Sequence, residues 1–436
     1  MDRVSSLPDE VLGHMLSFLS TKEAASTSVL SKRWRTMFLL VATLDLDYEP
    51  NPINYDRRNF MDFVESLLSL QGNSPIKKFA LKSNLGDGLG NVDPNRVQRW
   101  ICDVLKRGVV DLDVFITFRG NSSPLPSMIF KSNTLVKLRL GRGFTIQLSD
   151  DVFLPMLKTL SLESAYVDGD HDAIEILLPR CPVLEELVVE EKRWVHWCGS
   201  VSSPSLKRLC IRSFNIPIIS VDVPNLVYLE LSCIFGSKYA NVNLDSLVEA
   251  RLNLWVEETR IKELRNGSVH LNPDDMLDLI NGIRHVRVLH LSSDALELLY
   301  FSCQELPMFD NLVHLSIESD MKRGWQILPL LIKNSPNLET LIFKGLKHYK
   351  TKNCGDVCVC YQYKNIPSCL SSSRVKVLEI SGYQGKKREL NQMKHFLKKL
   401  SCLELVKIRP EEKGNNLQVT IDMFLGASSK WKIQVM

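Results

Sequence analysis

The sequence concentrates sulfur and imidazole groups between residues 348 and 369. Cys354-x3-Cys358-x-Cys360 is preceded by His348 and followed by Cys369. Thiolates and imidazoles are the usual ligands of structural zinc. Because this spacing is not the usual two-residue zinc knuckle, we interpret the segment as a loop of reduced cysteines and assign no metal. A zinc site is the alternative.

Other patterns that could support catalysis are incomplete. Gly86-Asp-Gly-Leu-Gly90 lacks the Lys-Ser/Thr of a phosphate-binding loop and the helix context of a dinucleotide site. His196, between Trp194 and Trp197, has no nucleophile at a recognisable spacing, and no G-x-S-x-G or kinase signature occurs. We therefore predict that the chain is not an enzyme, with no catalytic residue and no cofactor.

The composition indicates a folded protein with balanced charge. The 436 residues include 54 basic and 50 acidic side chains, which gives no compositional argument for a nucleic-acid partner. The eleven cysteines are odd in number and follow no disulfide spacing, which favours reduced thiols. The start shows no apolar signal core, and no early apolar stretch approaches the ~20 residues that span a bilayer. We expect a protein of the cytoplasm, the nucleus or both, without a membrane partner.

A repeat runs along the chain from residue 41. The pattern apolar-x-x-apolar-x-apolar, as in Leu157-Lys-Thr-Leu-Ser-Leu162, recurs at steps of 20 to 27 residues between Val109 and Leu247. Steps of 39 and 37 residues precede Val286 and Val375, where an insertion or a degenerate repeat must lie. The spacing accommodates one strand and one return segment per repeat. The fourteen opening residues are Val41, Ile76, Val109, Leu135, Leu157, Leu184, Leu206, Leu226, Leu247, Val286, Leu312, Leu338, Val375 and Leu403.

Prolines and helical segments precede several of these rows. Proline stops a helix and disfavours the helical conformation at its neighbour, so it sets up a turn into a strand. The prolines two residues before an opening leucine are Pro155, Pro182, Pro204, Pro224 and Pro336. Apolar residues at helical spacing occur in the segments 172–178, 274–283, 325–333 and 390–400.

A single repeat of helix, turn and strand cannot bury its apolar face, so neighbouring repeats must stack. We predict an α/β solenoid with parallel strands on the concave face and helices on the convex face. The rows and turns resemble leucine-rich repeats in the irregular, helix-backed form of plant F-box proteins, although the asparagine ladder of regular extracellular repeats is missing. The expected domains are a helical module at 1–40, the solenoid at 41–360 and a C-terminal region at 361–436.

The residues before the first row predict three short helices. Leu7-Pro8-Asp9-Glu10 suits a helix start, and Ser20 with Glu23 has the spacing of a capping box. About forty residues bury little surface alone, so the module should lean on a partner or on the solenoid. The segments Leu7–Leu12, Leu16–Leu19 and Val29–Trp34 are together similar to the F-box motif throughout its length. Ala25-Ser26 departs from the motif, where many relatives carry a larger apolar residue and often an arginine.

The F-box resemblance implies binding to the Skp-family linker of an SCF (Skp, cullin, F-box) ubiquitin ligase and, through the linker, to the cullin. The chain would then be a substrate-recognition adaptor, with ubiquitin transfer performed by other subunits. The alternative for the same side chains is the core of the module itself. The residues that would form or brace the linker interface are Leu7, Pro8, Val11, Leu12, Leu16, Leu19, Val29, Leu30 and Trp34.

The C-terminal region resembles the FBD region that follows the repeats in many plant F-box proteins. That region usually opens with tryptophan where this chain has Tyr361 or Tyr363. Because a solenoid needs its last apolar face covered, we interpret this region as further repeats and a terminal strand that cap the array. A ligand site is the alternative.

The second, fourth and sixth positions after each opening residue should point away from the core. From Leu135 onward they hold eight basic and seven acidic residues, and this mixed face favours a protein target over nucleic acid. The register predicts three lateral ion pairs between adjacent rows, although exposed pairs stabilise little. They are Glu186 with Arg208, Glu190 with Arg212 and Glu230 with Arg251, and with Tyr228 these six residues are the substrate-binding candidates.

Two other functions stay open. Some solenoid F-box proteins bind a small hormone with an inositol phosphate as structural cofactor, which would require a clustered basic pocket. A non-ligase interaction scaffold would keep the repeats without entering a ligase. Co-purification with linker and cullin distinguishes the scaffold, and mass spectrometry of released ligand distinguishes the receptor.

Overall fold

The chain forms two compact units, residues 1–197 and 198–436, in a computed structural model. None of the helices that the structure describes is long and apolar enough to cross a membrane. The residues described are 4, 6–48, 57–83, 93–116, 118, 122–163, 166–167, 173–191, 199–213, 218–234, 238–271, 274–303, 305–360, 368–411 and 431–436.

The first unit begins with three short helices and continues with parallel strands. Its main sheet has the order β1-β2-β3-β5-β7-β9, and β4-β6-β8 form a second, smaller sheet. The helices are α1 (Asp9–Leu16), α2 (Thr21–Thr27), α3 (Lys32–Leu39), α4 (Arg57–Gln71), α5 (Pro94–Lys106) and α6 (Ala173–Leu177), with 3-10 turns at Ser127–Lys131 and Leu178–Arg180. The strands are β1 (Thr43–Tyr48), β2 (Lys78–Ser83), β3 (Asp111–Ile116), β4 (Ser123–Pro124), β5 (Lys137–Leu140), β6 (Phe144–Ile146), β7 (Thr159–Glu163), β8 (Tyr166–Val167) and β9 (Glu186–Glu191).

The second unit repeats this plan. Its main sheet has the order β11-β13-β15-β16-β17-β18-β19-β20-β21, and β10-β12-β14 form its smaller sheet. The helices are α7 (Glu258–Asn266), α8 (Asp274–Gly282), α9 (Ser293–Ser302), α10 (Leu328–Lys333), α11 (Cys369–Ser372) and α12 (Lys387–Lys399). The strands are β10 (Ser200–Ser202), β11 (Arg208–Ser213), β12 (Ile218–Asp222), β13 (Tyr228–Ile234), β14 (Lys238–Asn243), β15 (Glu249–Trp255), β16 (Val288–Leu291), β17 (His314–Glu318), β18 (Thr340–Lys344), β19 (Val377–Tyr383), β20 (Leu405–Pro410) and β21 (Lys432–Val435).

The fourteen predicted rows are confirmed, because each begins a parallel strand two residues after its opening residue. One hydrogen-bond pattern sets the register between neighbouring rows within each unit. The carbonyl that follows the opening residue accepts two amides from the next row. The Val110 carbonyl, for example, accepts the N–H groups of Val136 (2.8 Å) and Lys137 (3.0 Å). The α/β solenoid prediction is therefore correct in its strand layer.

The core of each unit comes from the apolar positions of the rows. In the row that contains β13, Leu226, Leu229 and Leu231 are all fully buried, and burying a leucine contributes about 1.5–3 kcal/mol. The intervening side chains Tyr228 and Glu230 remain half-exposed. Because each repeat covers apolar side chains of the repeat before it, stability comes from the stacking of repeats rather than from any single repeat.

Asparagines join successive turns in the second unit. The side-chain amides of Asn225, Asn311 and Asn337 each stand just before an opening leucine. They donate to the carbonyls of Pro204 (2.9 Å), His285 (3.3 Å) and Asp310 (2.8 Å), respectively. These bonds satisfy carbonyl groups in turns that have no regular ladder partner.

The layer behind the main sheets differs from the prediction of helices alone. Short strands β4, β6 and β8 in the first unit, and β10, β12 and β14 in the second, take the place of helices. Several of these strands lie in repeats with steps of only 20 to 22 residues, which leave too few residues for a helix of three turns. Their apolar residues alternate, with Val201, Ile219 and Val221 buried, as a half-buried strand requires.

The predicted helical segments are present with shifted ends. The segment 172–178 contains α6 and the start of a 3-10 turn, with residue 172 outside the described part, and 274–283 contains α8. The helix expected at 325–333 begins only at Leu328, with Pro329 in its first turn. The helix expected at 390–400 begins earlier, at Lys387, because the Glu389 carboxylate accepts the Lys386 amide (3.0 Å) and extends the N-terminus.

The two longest steps hold different insertions. The step before Val286 contains α7 and α8, and α7 is joined to α9 through Arg265, whose Nη2 donates to Glu297 Oε1 (2.7 Å). The step before Val375 contains a long segment, residues 345–360, without helix or strand, and then the short helix α11.

Candidate functional site

The N-terminal module presents apolar side chains to solvent. Phe18 is 77% exposed, Val29 83% and Leu30 66%. Val11 and Met15 lie one helical turn apart on α1 and are also exposed. Exposed apolar surface of this density in a small module usually marks an interaction site.

The nine predicted linker-binding residues divide by burial. Leu12 and Leu16 are fully buried and can only brace the module, while Leu7 and Trp34 are half-buried. The exposed members, which are free to touch a partner, are Pro8, Val11, Leu19, Val29 and Leu30.

Phe18 and Met15 share the exposed apolar character but were absent from the predicted set. Phe18 stands inside the segment Leu16–Leu19 that carries the F-box resemblance. An apolar aromatic residue just after the end of α1, inside this segment, was the signal that could have identified it.

Polar contacts hold the three helices of the module in place. Arg33 on α3 donates to the Leu7 carbonyl (2.5 Å) and, through Nε, to Asp9 (3.0 Å), which ties α3 to the start of α1. The predicted capping box is present, with the Ser20 amide donating to Glu23 (3.0 Å). Thr21 Oγ1 accepts a hydrogen bond from the Asp45 amide of β1 (2.6 Å). The module therefore packs on the first strand of the solenoid, which is one of the two arrangements that we expected from its small size.

A second candidate surface lies on the exposed face of the main sheet in the second unit. The Arg208 guanidinium stands 3.9 Å from the centre of the Tyr228 ring, and the Arg251 guanidinium stands 5.8 Å from it. The Tyr228 hydroxyl donates to Glu230 (3.0 Å), and Arg212 Nε donates to the other Glu230 oxygen (2.9 Å). We call Arg208, Arg212, Tyr228, Glu230, Glu249, Arg251 and His290 the tyrosine cluster.

The predicted pairing of Glu230 with Arg251 is correct in register but differs in its hydrogen bonds. The two residues are direct neighbours on β13 and β15. Arg251 donates to Glu249 on its own strand (2.8 Å), while Glu230 is bound by Arg212 and Tyr228. Long side chains reach the i±2 position on the same face as easily as the adjacent strand, so strand register alone did not determine the partner.

Neighbouring charges shift the pKa values of this cluster. Burial, together with the Glu230 carboxylate, raises the pKa of Tyr228 to about 12. Burial acts to raise the pKa of Glu230, but the hydrogen bond and charge of Arg212 outweigh it and lower that pKa. Burial and the Arg251 charge lower the pKa of His290, whose Nε2 lies 3.4 Å from Glu249 Oε1. Tyr228 therefore stays a hydroxyl donor and Glu230 an anion near neutral pH.

His290 and Glu249 were not among the predicted binding residues. Both lie at outward positions of their rows, Glu249 beside Tyr228 and His290 beside Arg251 in the strand register. The alternation of side chains along the strands, which identified Tyr228 and Arg251 as outward-facing, also identifies Glu249 and His290. The sequence signal that could have found them was therefore the strand register.

The remaining two candidates lie in the first unit. Glu186 and Glu190 are half-exposed on β9, where they neighbour Thr159 and Glu163 of β7. Their pairing with Arg208 and Arg212 stays a prediction.

The structure brings most of the cysteine-rich segment together. The Cys360 thiol lies 3.2 Å from His348 Nε2, and Cys354 and Cys358 are buried beside them. The hydrogen bond from Cys358, joined by His348, lowers the pKa of Cys354 to about 5 against the opposing effect of burial.

Cys369 does not join this group, because its thiol donates to Asp356 (2.9 Å). Burial and the Asp356 carboxylate raise the pKa of Cys369, so this side chain remains a thiol.

Comparison with known proteins gives two matching domain profiles. The profile of the F-box domain matches residues 4–41, the range of the N-terminal module. The profile described as FBD-associated F-box protein At5g56370, LRR repeats, matches residues 97–317, which covers rows in both units.

Whole-length relatives occur in Arabidopsis thaliana. F-box/LRR-repeat protein At2g42720 is 66% identical over all of this chain and 99% of its own length, and F-box/LRR-repeat protein At2g42730 is 61% identical over all of this chain and 98% of its own. F-box/LRR-repeat protein At4g14096 is 46% identical over 92% of this chain and 86% of its own length.

Proposed function

The chain belongs to the family of plant F-box/leucine-rich-repeat proteins, and we propose from this premise that it is a substrate-recognition adaptor of an SCF-type ubiquitin ligase. F-box and leucine-rich-repeat domains together make a protein-interaction adaptor. The finer proposal is that the module binds a Skp-family linker, and through it cullin, while the repeats bind a target protein.

The observation that carries the linker proposal is the exposed apolar surface of the module. Val29 and Leu30 stand in the turn before α3, and Phe18 follows α1; all three are mostly exposed. The hydrogen bond from Arg33 to the Leu7 carbonyl holds α3 against the segment before α1 and does not involve these apolar side chains. A partner that covers them would gain about 25 cal/mol for each Å² of apolar surface removed from water.

The double substitution Val29→Asp with Leu30→Asp tests this surface. Because both side chains are exposed, the variant should fold as the wild type does and lose linker binding by at least about tenfold, in line with the loss of an interface hot spot. Binding is measured by titrating purified Skp-family linker against the full chain.

Two further variants make the test specific. Leu70→Asp alters an equally exposed leucine on α4 and should bind the linker normally. Trp34→Ala removes a half-buried aromatic residue of the module and should also abolish linker pull-down. Unchanged affinity in the Val29/Leu30 variant would disprove this interface.

The target-binding surface that we propose is the tyrosine cluster. Tyrosine and arginine are enriched in binding hot spots because they combine apolar area with hydrogen-bonding groups. Here Arg208 and Arg251 flank Tyr228, and acids of the same face partner Arg212 and Arg251. A surface of paired, alternating charges suits a folded protein target more than a polyanion.

The receptor alternative has less support from this surface. An inositol phosphate requires several arginines or lysines without acidic partners, and Glu230 and Glu249 neutralise two of the three arginines in the tyrosine cluster. For this function we accordingly propose no inositol phosphate or other small-molecule cofactor, no membrane or nucleic-acid partner and no catalytic step in this chain. It places the protein in the cytoplasm, the nucleus or both.

A further inference from the structure

The connection from β18 to β19 contains the short helix α11, but residues 345–360, which precede it, form no helix or strand. Residues 345–360 form turns and bends, yet His348, Cys354, Val357 and Cys358 are almost completely buried. Because this buried segment has no helix or strand ladder, it must be held by side-chain contacts, a disulfide or a metal.

Side chains of this loop converge on one point. One ligand atom each from His348, Cys358 and Cys360 lies within 4.8 Å of the other two. The Cys354 thiol interacts with both His348 and Cys358, although its Sγ is not within 4.8 Å of all three of these ligand atoms. Zinc–sulfur bonds of about 2.3 Å and zinc–nitrogen bonds of about 2.0 Å place the corners of a zinc tetrahedron roughly 3.4–3.8 Å apart. The 3.2 Å between Cys360 Sγ and His348 Nε2 is close to such an edge.

Stacking holds the buried imidazole of the proposed site in one plane. His348 stacks on Trp325 with 3.8 Å between ring centres, and its Nδ1 is buried with no hydrogen-bond partner among the described residues. The two nitrogens of an imidazole point in different directions, so Nε2, which lies 3.2 Å from Cys360 Sγ, would be the zinc ligand and Nδ1 would not. The stacking fixes the ring plane, as an outer shell does around a metal-binding histidine.

Charges and amides around the thiols suit a thiolate site. Arg388 on α12 donates to the His348 carbonyl (2.8 Å), and its guanidinium lies 3.7 Å from Cys360 Sγ. The Cys360 amide donates to Cys358 Sγ (3.3 Å). Three thiolates with one divalent zinc carry a net charge of about −1, which the Arg388 guanidinium would offset.

We propose that His348, Cys354, Cys358 and Cys360 form a structural zinc site that fastens residues 345–360 between β18 and α12. Three thiolates and one imidazole select zinc over the oxygen-binding cations magnesium and calcium. Four protein ligands leave no open position, so the site is structural and not catalytic. Cys354-x3-Cys358 also falls within the range of two to four residues between paired ligands in structural zinc sites.

The loop and α12 already share the contacts that such a site would reinforce. Gln392 donates to the Val357 carbonyl (2.7 Å) and accepts the Val359 amide (3.1 Å). His395 Nε2 lies 2.6 Å from the Asp356 carbonyl oxygen. Zinc would therefore hold a segment whose backbone groups depend on α12 for their partners.

The first test measures metal in the full chain, purified under reducing conditions without chelators. Mass spectrometry of the dissolved metal should find one zinc per chain. After removal of zinc and addition of Co²⁺, the protein should show the absorption of tetrahedral cobalt with thiolate-to-metal charge transfer. Folded, reduced protein that retains no zinc and gives no such cobalt spectrum would overturn the proposal.

The second test uses Cys358→Ser with Cys360→Ser, and Cys402→Ser as the matched control, because Cys402 is exposed and outside the cluster. The double variant should lose zinc and the cobalt spectrum, and the control should keep both. Equal zinc in the double variant and the wild type would show adventitious binding and refute the site.

Should the double variant fail to fold, wild-type protein with and without chelator gives the answer by hydrogen exchange. Removal of zinc should speed amide exchange in residues 345–360 and leave the β13–β15 amides unchanged. Equal exchange in both samples would count against the proposal.

Discussion

At the scale of single residues, the neighbours of a side chain decide its chemistry, and His290 illustrates this. Its ring lies on the exposed face of β16, between Arg251 on β15 and Ser316 on β17. Burial and the positive charges of Arg251 and Lys344 lower its pKa, against the opposing effect of Glu249. A histidine without such neighbours would instead have a pKa near the ordinary value of an imidazole.

His290→Gln tests that environment. Since the folded-state pKa of His290 is lowered, the unfolded chain binds the proton more readily, and stability falls as the pH drops from about 7 towards 5. The variant lacks this contribution, so its melting temperature should decrease less over that interval than the wild-type value. Thermal denaturation at several pH values measures the difference, with exposed His270→Gln as the control. Identical pH dependence of the wild type and His290→Gln would contradict the lowered pKa.

At the scale of elements, a buried charge network attaches the insertion helix α7 to the repeats. Glu297 on α9 is fully buried and accepts two nitrogens of Arg265 on α7 (2.7–3.0 Å). Burial raises the pKa of Glu297 against the opposing effect of Arg265. Arg323 donates to Glu258 at the start of α7 (2.8 Å) and to Asp294 on α9. These contacts connect α7 to α9 and to the loop that carries Arg323.

Glu297→Gln should therefore destabilise the second unit by about 3 kcal/mol, because it leaves Arg265 and Arg323 partly buried with one carboxylate fewer. The shift of the urea denaturation midpoint, followed by circular dichroism, measures the loss. Glu305→Gln changes an exposed glutamate nearby and should leave the midpoint within the error of the wild type. A midpoint for Glu297→Gln that matches this control would show that the network contributes nothing.

At the scale of the whole molecule, the two proposed binding surfaces lie in different parts of the chain. The apolar side chains Phe18, Val29 and Leu30 belong to the module, and the tyrosine cluster belongs to the second unit. The two surfaces share no residue, so each can be removed without altering the other.

Three versions of the chain test this separation in plant cells with the proteasome inhibited. Intact protein should co-purify with linker, cullin and a target whose abundance rises on inhibition. A version lacking residues 1–40 should keep the target and lose linker and cullin by at least about tenfold. Tyr228→Ala should show the reverse. Cullin retained by the truncated version would disprove the adaptor proposal, and a target retained by Tyr228→Ala would disprove the target surface.

The start of every row was predictable because its causes are local. An apolar residue followed by others three and five positions later places two side chains on the buried face of one strand and a third in the turn before it. The Ser20–Glu23 capping box likewise depends on four consecutive residues. These features need only the period of the backbone, which the sequence displays directly.

What lies behind the strands needed the tertiary structure. Whether a return segment became a helix, as at α10, or a strand, as at β12, depended on the space between adjacent repeats as well as on propensity. The partner of Arg251 depended on side-chain reach in two directions, and Glu249 on its own strand was within that reach.

The sequence by itself determined the repeat, its strand register and the F-box module, because burial of alternating or helically spaced apolar residues is encoded within a few residues. Only the tertiary structure decided which side chains meet. His348 and Cys360 lie twelve residues apart in a segment, residues 345–360, without helix or strand, yet their side chains are 3.2 Å apart. The path of such a loop is set by what it packs against, here Trp325 and α12, and no local period records it.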